Sequence, residues 1–336
     1  MRTPGVYITI DVECSMGGAW DSSTLLPVAP ERAVLGRYGR ASYGLPLITG
    51  ILREHGLAGT FFVEPFDDEI GYPGRFDAFC SDLLDAEQDV QLHIHPNHKS
   101  FGRCRSNEDY IRNDRLCELP YEYQVELVRE GADRFKRITG KTPKAFRAGN
   151  MAADENSLSA LAAAGIQVDS SYTFTYAGRQ CGFSAERPFN GTRWYGSVLE
   201  VALSGFRQPS LPALHPCKPL DLVSVSFPEM QSAVRKICSA GAEAVLILHS
   251  FSLMKVRNIR YDGGRPNRVV IRRLRQLCRW LAENRQQYPT RTFSDIAGEV
   301  DQGIFHAREV PPAAVVKPIQ AVTRKAVQGV NRWYWM

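Results

Sequence analysis

The sequence has no closely spaced cysteine pair, no long apolar run and no dense basic stripe. Its eight cysteines include no C-x-x-C pair, so we interpret them as free thiols. No run of 18 apolar residues occurs, and the N-terminus MRTPGVYITIDVE does not have the charged and apolar regions of a secretory signal. We therefore expect no membrane span and a cytoplasmic location. The net charge of +5 is too small for a nucleic-acid binder, so no such partner is expected.

The rest of the composition is typical of a folded α/β protein. Of 336 residues, 44% are hydrophobic and 23% are charged, which is enough for a packed core. Short β-branched or aromatic runs alternate with segments of helical periodicity, and this favours one parallel sheet closed or nearly closed into a barrel. The predicted strands are Val6–Val12, Thr60–Val63, Asp89–His95, Ala145–Ala148, Gln167–Asp169, Val198–Leu203, Val245–His249 and Arg291–Phe293. The predicted helices are Leu45–Glu54, Tyr121–Ile138, Asp154–Ala164 and Arg268–Arg285.

Three long segments interrupt this alternation: Lys99–Leu119, Tyr176–Trp194 and Ser204–Pro219. Long loops in a compact α/β domain usually cover a site, and we expect the same here. The sequence contains no internal repeat and no interdomain linker. We predict one catalytic domain over residues 1–300, followed by a tail over residues 301–336.

Acids and histidines lie at the carboxyl ends of the first and third predicted strands. Asp11 and Glu13 share one face of the first strand, where two carboxylates would repel each other unless a cation lies between them. His93 and His95 share a face of the third strand, and His98 follows from the next loop. Paired imidazoles at a strand end are a common transition-metal arrangement. The alternatives are solvated loop acids and core histidines with satisfied hydrogen bonds.

Three further polar residues follow later strands: Arg147, Asp169 and His249. Each of them alone is weak evidence, since an arginine after a strand is usually part of a surface ion pair. Ligands of α/β barrels, however, bind at the carboxyl ends of the strands. The sequence therefore predicts that these side chains meet the acids and histidines in one pocket.

The order and spacing of these motifs resemble those of the polysaccharide-deacetylase family, the NodB-type carbohydrate esterases, over roughly residues 6–250. The segments that carry the resemblance are ITIDVE, GLAGTFFVEP, DVQLHIHPNH, FRAGNMAADENSLSALAAAGIQVDSS and LILH. The resemblance implies a distorted (β/α)7–8 barrel.

Some details depart from the commonest family pattern. Val12 separates Asp11 from Glu13, where most members have adjacent aspartates. Ala148 and Gly149 follow Arg147, where most members have x-Pro. The Asp-Val-Glu and His-x-His-Pro forms look like a branch associated with cell-surface polysaccharide and lipopolysaccharide synthesis.

The resemblance also implies a divalent metal, which we expect to be Zn²⁺, held by one carboxylate and two histidines. Glu13 is favoured as the carboxylate and His93 as one histidine, while His95 and His98 are alternatives for the other. The implied catalytic residues are Asp11 as proton acceptor, Arg147 as its partner, His249 as proton donor and Asp169 as the group that sets the tautomer of His249.

The implied reaction is hydrolytic removal of an N-acetyl or N-formyl group from an amino sugar of a surface-glycan or lipid-linked precursor. One alternative is a metal-dependent amidohydrolase that acts on a small non-carbohydrate amide, and another is a non-catalytic glycan-binding member. Trp20, Trp194 and Tyr172 are candidates for stacking on sugar rings or, equally, for loop packing.

The C-terminal tail is basic and has helical periodicity. No acidic residue follows Glu309, and the apolar residues Ile319, Val322, Ala326, Val330 and Trp333 fall near one helical face before the chain ends in WYWM. One interpretation is peripheral contact with the inner face of a membrane. The other is a helix packed on the barrel with its aromatic residues in the core.

Overall fold

A computed structural model describes residues 3–184, 186–211, 214–314 and 316–333, with the side chains of residues 332 and 333 excepted. The strands are β1 (Val6–Val12), β2 (Arg37–Tyr38), β3 (Ala41–Ser42), β4 (Thr60–Val63), β5 (Asp89–Ile94), β6 (Ala145–Ala148), β7 (Val168–Asp169), β8 (Asn190–Tyr195), β9 (Val198–Val201), β10 (Gly205–Arg207), β11 (Cys217–Pro219), β12 (Ala244–His249), β13 (Met254–Lys255), β14 (Arg265–Pro266) and β15 (Glu309–Val310). The helices are α1 (Pro30–Ala33), α2 (Leu45–Glu54), α3 (Arg75–Asp85), α4 (Pro96–Arg105), α5 (Tyr121–Thr139), α6 (Glu155–Ala163), α7 (Phe227–Ser239), α8 (Arg268–Glu283), α9 (Phe293–Asp301) and α10 (Pro318–Trp333).

One curled sheet organises the domain. In the described residues it has nine strands in the order β12-β1-β4-β5-β6-β7-β9-β8-β15. The first seven of these pair in parallel, and β8 and β15 extend the sheet antiparallel. Parallel pairing directs the carboxyl ends of the seven strands to one edge of the sheet. The polar residues at those ends therefore lie close together, as the sequence predicted.

The far edge of β12 is closed by the segment that follows β9. The backbone N–H of Ser204 donates to Val245 O at 3.1 Å. The N–H of Leu222 donates to Ile247 O, and the N–H of Ile247 donates to Leu220 O. These bonds satisfy part of the open edge of β12 without a regular strand. The prediction of a distorted α/β barrel is confirmed in the form of a curled, half-barrel sheet.

Side-chain alternation gives the sheet two apolar faces. On the inner face, residues such as Tyr7, Phe62 and Val245 pack against Phe293 of α9, which fills the amino-terminal end of the half-barrel. On the outer face, residues such as Ile8 and Ile10 pack against the surrounding helices. The amino-terminal end of the inner face is filled, and its carboxyl-terminal end is open to a ligand.

Most predicted elements match the structure, but the last predicted strand is wrong. Phe293 begins α9, and Thr292 caps it by accepting a hydrogen bond from the backbone N–H of Asp295. Just before the helix, Thr290 makes an isolated bridge to Val6, and the backbone N–H of Arg291 donates to Val6 O at 3.0 Å. The segment predicted as the first long loop begins inside α4, which ends at Arg105. The eight cysteines are free thiols, as expected.

The predicted tail begins with an extension of the sheet. Glu309 and Val310 of β15 pair with Gly191 and Asn190 of β8. Further on, the backbone N–H of Arg207 donates to Ala313 O at 3.0 Å. The last helix, α10, then lies against α7 and α8, and residues 334–336 of the terminal WYWM lie outside the described residues. Across the ranges that the structure describes, no helix has the length and apolar character needed to cross a bilayer.

Candidate active site

A cavity of about 190 Å³ opens at the carboxyl ends of the central strands. Eight of the residues that line it carry acid, imidazole or amide groups: Asp11, Glu13, His93, His95, Asn150, Gln180, Asp221 and His249. The others are Met151, Tyr176, Leu203, Pro219 and Ile247. The cavity therefore contains most of the polar strand-end residues that the sequence predicted to meet.

Glu13, His93 and His95 form the tightest polar cluster in the cavity. The Oε2 atom of Glu13 lies 3.0 Å from Nε2 of His93 and 2.6 Å from Nε2 of His95. Their ligand atoms all lie within 4.8 Å of one another. The structure thus brings His95, and not His98, to the carboxylate of Glu13.

Each imidazole of the cluster is oriented through its other nitrogen. Nδ1 of His93 lies 2.8 Å from the carbonyl oxygen of Arg147, which can only accept, so Nδ1 carries a proton and Nε2 faces Glu13. Nδ1 of His95 lies 2.9 Å from Oδ2 of Asp114. A hydrogen bond to the outer nitrogen is the usual way in which a protein fixes the tautomer of a metal-binding histidine.

The charges of the cluster are strongly coupled. Burial raises the pKa of Glu13, but the charge on His95 and the hydrogen bonds with both imidazoles outweigh it, so the pKa lies well below its ordinary value. Burial lowers the pKa of His95, but the carboxylates of Asp114 and Glu13 reverse this and raise the pKa well above its ordinary value. The cluster therefore favours a positive charge between the carboxylates.

This donor set fits a divalent metal ion. A carboxylate oxygen and two imidazole Nε2 atoms are ligands that Zn²⁺ commonly takes in catalytic sites. At 3.0 Å, a lone pair on Nε2 of His93 and the oxygen of Glu13 would be two acceptors that face each other, so this contact requires a proton or a cation between them. A bound cation would satisfy both groups and would take over the role of the proton on Nε2 of His95.

Asp114 is a residue of the site that the sequence did not reveal. Besides His95, its Oδ2 accepts a hydrogen bond from Nδ2 of Asn150 at 2.7 Å, and its Oδ1 accepts one from the backbone N–H of Asn97. It lies in the polar stretch before Leu119, outside any helix or strand. Neither periodicity nor a strand end identifies such a residue.

Asp11 and Arg147 form a buried ion pair beside the cluster. Oδ1 of Asp11 accepts a hydrogen bond from Nη1 of Arg147 at 2.7 Å, and the two side chains are 2% and 0% exposed. The guanidinium also donates to Thr9 and Ser170 and lies 4.2 Å from the centroid of the Phe62 ring. Because its donors are satisfied on several sides, the guanidinium is fixed and in turn fixes the Asp11 carboxylate.

His249 lies across the cavity from both acids. Its Nε2 atom is 4.0 Å from Oδ2 of Asp11 and 4.0 Å from Oε1 of Glu13. The ring stacks on Phe251 with a centroid separation of 4.9 Å, and the side chain is 35% exposed. An imidazole at this distance from two carboxylates can contact the same small reacting group as they do.

The loop after β6 has an unusual backbone. Asn150 and Met151 both have positive φ angles, of 57° and 56°, which non-glycine residues seldom adopt. A Cβ atom at the preceding Gly149 would lie 2.5 Å from Nδ1 of His95. Glycine is therefore required for the close approach of the loop to the imidazole, and strained backbone of this kind is concentrated at functional sites.

His98 lies outside the cluster, although the sequence left it as an alternative ligand. Its Nε2 atom is 3.1 Å from the carbonyl oxygen of Cys14, and its Nδ1 atom is 3.8 Å from Glu64. Burial, followed by the charge of His95, lowers the pKa of His98 to about 4, so the ring is neutral near pH 7. His98 lies in the first turn of α4, which begins at Pro96, and its side chain is turned away from the cavity. Its contact with Cys14 supports the loop after β1.

Asp169 does not contact His249, so the proposed role as the group that sets the tautomer of His249 needs correction. The next residue, Ser170, points inward and contacts Arg147, so alternation directs Asp169 to the outer face of the sheet. There it lies opposite Glu200 of β9, and both side chains are fully buried. Burial raises the pKa of both, and the charge of Asp169 raises that of Glu200 further.

The three aromatic residues proposed for sugar stacking do not line the cavity. Tyr172 is buried and stacks on Phe189, Trp20 packs against Phe101 and Tyr110, and Trp194 lies on β8. Tyr176 and Gln180, from the second predicted loop, reach the cavity instead. The long segments border the site as expected, since Pro219 of the third segment also lines the cavity and Asp114 of the first contacts His95.

Comparison with solved structures finds proteins of the same fold. A Mycobacterium smegmatis protein described as a candidate polysaccharide deacetylase superimposes with a TM-score of 0.51 at 18% identity, over 94% of this chain and 95% of that chain. A family 4 carbohydrate esterase from Streptomyces lividans, in complex with acetate, superimposes with a TM-score of 0.43 at 14% identity, over 84% of this chain and 91% of that chain. A family 4 pseudoenzyme from Bacillus anthracis superimposes with a TM-score of 0.41 at 11% identity, over 88% of this chain and 66% of that chain. No family model and no curated protein matches the sequence.

The chain therefore has the α/β fold of the NodB-type polysaccharide deacetylases, with a curled and partly closed parallel sheet. At these identities the likeness concerns the fold.

Proposed function

We propose that this protein is a divalent-metal-dependent hydrolase that removes an N-acetyl or N-formyl group from an amino sugar. One observation carries the proposal: Oε2 of Glu13 lies within 3.0 Å of both His93 and His95, beside the ion pair of Asp11 with Arg147. The arrangement combines a metal donor set, a fixed carboxylate and a facing imidazole, which are the groups that amide hydrolysis requires.

A divalent ion bound by Glu13, His93 and His95 would lower the pKa of a water molecule toward ~7 and polarise the acyl oxygen. Asp11 is placed to accept the proton of the attacking water. Its Oδ1 is occupied by Arg147, which leaves Oδ2, on the side of His249, as the basic atom.

His249 donates the proton that the leaving amine needs. Its Nε2 atom is 4.0 Å from Oδ2 of Asp11, so acid and base can reach the same reacting group from neighbouring positions. General acid–base catalysis of this kind contributes roughly 10²–10⁴-fold to the rate. Arg147 orients Asp11 through the buried ion pair without contacting the substrate.

For the substrate, we propose an amino sugar of a surface-glycan or lipid-linked precursor, and for the location, the cytoplasmic side of a membrane. The support is the likeness of the Asp-Val-Glu and His-x-His-Pro segments to a branch linked with surface-polysaccharide synthesis. A lipid-linked precursor would bring the protein to a membrane surface. We propose Zn²⁺ as the metal because two imidazoles and a carboxylate suit it.

The test is a substrate screen with purified protein of measured metal content. N-acetylated and N-formylated amino sugars, on nucleotide and on lipid carriers, are compared with simple amides of similar size, and released acetate or formate is quantified. We expect release from a sugar substrate that stops after chelation and returns with Zn²⁺. Hydrolysis of simple amides alone, or glycan binding without turnover in metal-loaded protein, would overturn the proposal in favour of one of the two alternatives.

A further inference from the structure

The last helix, α10, is attached to the domain through its polar side. Arg324 donates from Nη1 to Oε1 of Glu229 at 2.5 Å, and the two side chains are 2% and 0% exposed. The other oxygen of Glu229 caps α7 through the backbone N–H of Ser226. One turn further along α10, Gln328 donates to Ser224 O at 2.8 Å. A buried ion pair and a hydrogen bond thus fix which face of α10 is turned inward.

The apolar side of α10 is consequently turned outward. Ile319 and Val330 are each 68% exposed and Val322 is 53% exposed, whereas Ala321 is fully buried on the opposite side. A helix of a globular domain normally packs its apolar stripe on the core and shows its polar face to water. The reversed orientation leaves a contiguous apolar stripe in solvent, and such a stripe marks an interaction surface.

A groove beside α10 continues this apolar surface. It has a volume of about 470 Å³ between α7, α8 and α10. Its walls include Phe227, Val269, Ile319 and Val327, and Arg272 lies at its side. The groove therefore has apolar walls next to a positively charged guanidinium group.

The charge around the stripe has one sign. The sequence of α10, PIQAVTRKAVQGVNRW, has no acidic residue. The neighbouring α8, RVVIRRLRQLCRWLAE, has five arginines and one glutamate. Lys317, Arg268 and Arg272 are exposed, while Glu229 is buried against Arg324. The occupant of this surface must therefore be apolar in part and negatively charged in part.

We propose that α10 and the adjoining groove are a docking surface for an anionic phospholipid bilayer. The stripe of Ile319, Val322 and Val330 enters the boundary between headgroups and acyl chains, and Lys317 and Arg272 bind lipid phosphates. The buried ion pair of Arg324 with Glu229 holds the helix in this orientation before contact, so the helix need not leave the domain in order to bind. The helix lies in the plane of the surface and does not span it.

The test measures binding of the full chain to large unilamellar vesicles by flotation. We expect binding to vesicles that contain phosphatidylglycerol, little binding to pure phosphatidylcholine, and weaker binding at 0.5 M salt because surface charges are screened. Ile319→Glu and Val330→Glu each place a charge on the stripe and should weaken partitioning by about tenfold or more. Both positions are solvent-exposed, so neither substitution disturbs packing.

The matched control is Ile304→Glu, because Ile304 is also exposed, at 56%, but follows α9 at the other end of the half-barrel. It should bind vesicles like the unsubstituted chain. Absence of binding to anionic vesicles, or equal binding by Ile319→Glu, overturns the proposal. Light scattering without lipid distinguishes the main competitor: a dimer that Ile319→Glu dissociates would assign the stripe to a second copy of the chain. Because the readout is lipid binding, its failure is separate from any failure of the proposed hydrolysis.

Discussion

Replacing Gly149 by alanine adds one methyl group to the loop beside the proposed metal site. The added Cβ would lie 2.5 Å from Nδ1, and 2.6 Å from two carbon atoms, of the His95 ring. The backbone of Gly149 is not in the left-handed region, so alanine itself can adopt its conformation. The strain therefore falls on the contact with His95, and that contact decides the outcome.

The size of the effect follows from the contact distance. Ordinary contacts of a Cβ atom begin at 3.4 Å, so the ring or the loop must move by about 0.9 Å. Productive metal–ligand distances vary by only about 0.2 Å. His95 is also bound on both sides, to Glu13 at 2.6 Å and to Asp114 at 2.9 Å, so it cannot move without losing one partner. We expect a loss of metal affinity of about 10- to 100-fold, the range found when the support of a ligand is removed.

The assay is competition for Zn²⁺ with a chromophoric chelator, combined with thermal unfolding of the metal-free protein. Gly50→Ala is the matched control, because Gly50 lies inside α2 and its added Cβ would have no neighbour within 4 Å. Gly50→Ala should keep the metal affinity and stabilise the fold by roughly 0.5–1 kcal/mol. If the Zn²⁺ affinity of Gly149→Ala is within threefold of that of the unsubstituted protein, metal binding does not require His95 in its present position, and the prediction is wrong.

Three further predictions concern the same site. Asp11→Asn should lower turnover by roughly 10²–10⁴-fold but retain bound metal, whereas His93→Ala should lose the metal, as measured by elemental analysis and acyl release. Asp114→Asn should weaken Zn²⁺ binding by about tenfold or more, since it removes the charge that orients His95. In metal-free protein, burial raises the pKa of Glu64 from 4.5 to about 8, so the folded state retains a proton that the unfolded chain releases. Its contribution to the free energy of unfolding should fall as pH rises from about 5 to 8, by up to about 1.4 kcal/mol per unit, and Glu64→Gln should remove this slope.

Each of these predictions has an outcome that contradicts it. Loss of metal in Asp11→Asn would make Asp11 a ligand. Glu118→Gln, a change elsewhere in the same stretch of chain, controls for Asp114→Asn, and equal affinities in the two variants would remove Asp114 from the site. For Glu64, chemical denaturation at several pH values is compared with Glu108→Gln at an exposed position. An unchanged slope in Glu64→Gln would show that Glu64 is ionised in the folded protein.

The sequence predicted the central part of the site because the relevant signals are local. The period of two along a strand places Asp11 with Glu13 and His93 with His95, and parallel pairing aligns the strand ends. Arg147 and His249 were found by the same rule. Asp169 also lies at the end of a predicted strand, but its side chain is on the outer face of the sheet. Because β7 has only two residues, it gives no periodicity from which this direction could be predicted.

The contacts that the sequence could not reveal are those between distant segments. Asp114 reaches His95 from an irregular loop, and Arg324 reaches Glu229 across 95 positions. No local pattern predicts that a helix with an apolar stripe will be held by a buried ion pair on its other side. The start of α9 did carry a signal: Thr292 and Asp295 form a capping box, which outweighed the β-propensity of the threonine and phenylalanine.

The strand β15 restricts how this chain can be shortened. Residues 308–310 complete the edge of β8, and residue 313 accepts a hydrogen bond from Arg207, although the compositional change lies near residue 300. A chain cut at 300 would leave the outer edge of β8 without a partner strand, and another molecule could add to it edge to edge. It would also leave the carboxylate of Glu229 buried without its cation. Aggregation of such a fragment would thus report a damaged sheet and an uncompensated charge, and would reveal nothing about what the tail does.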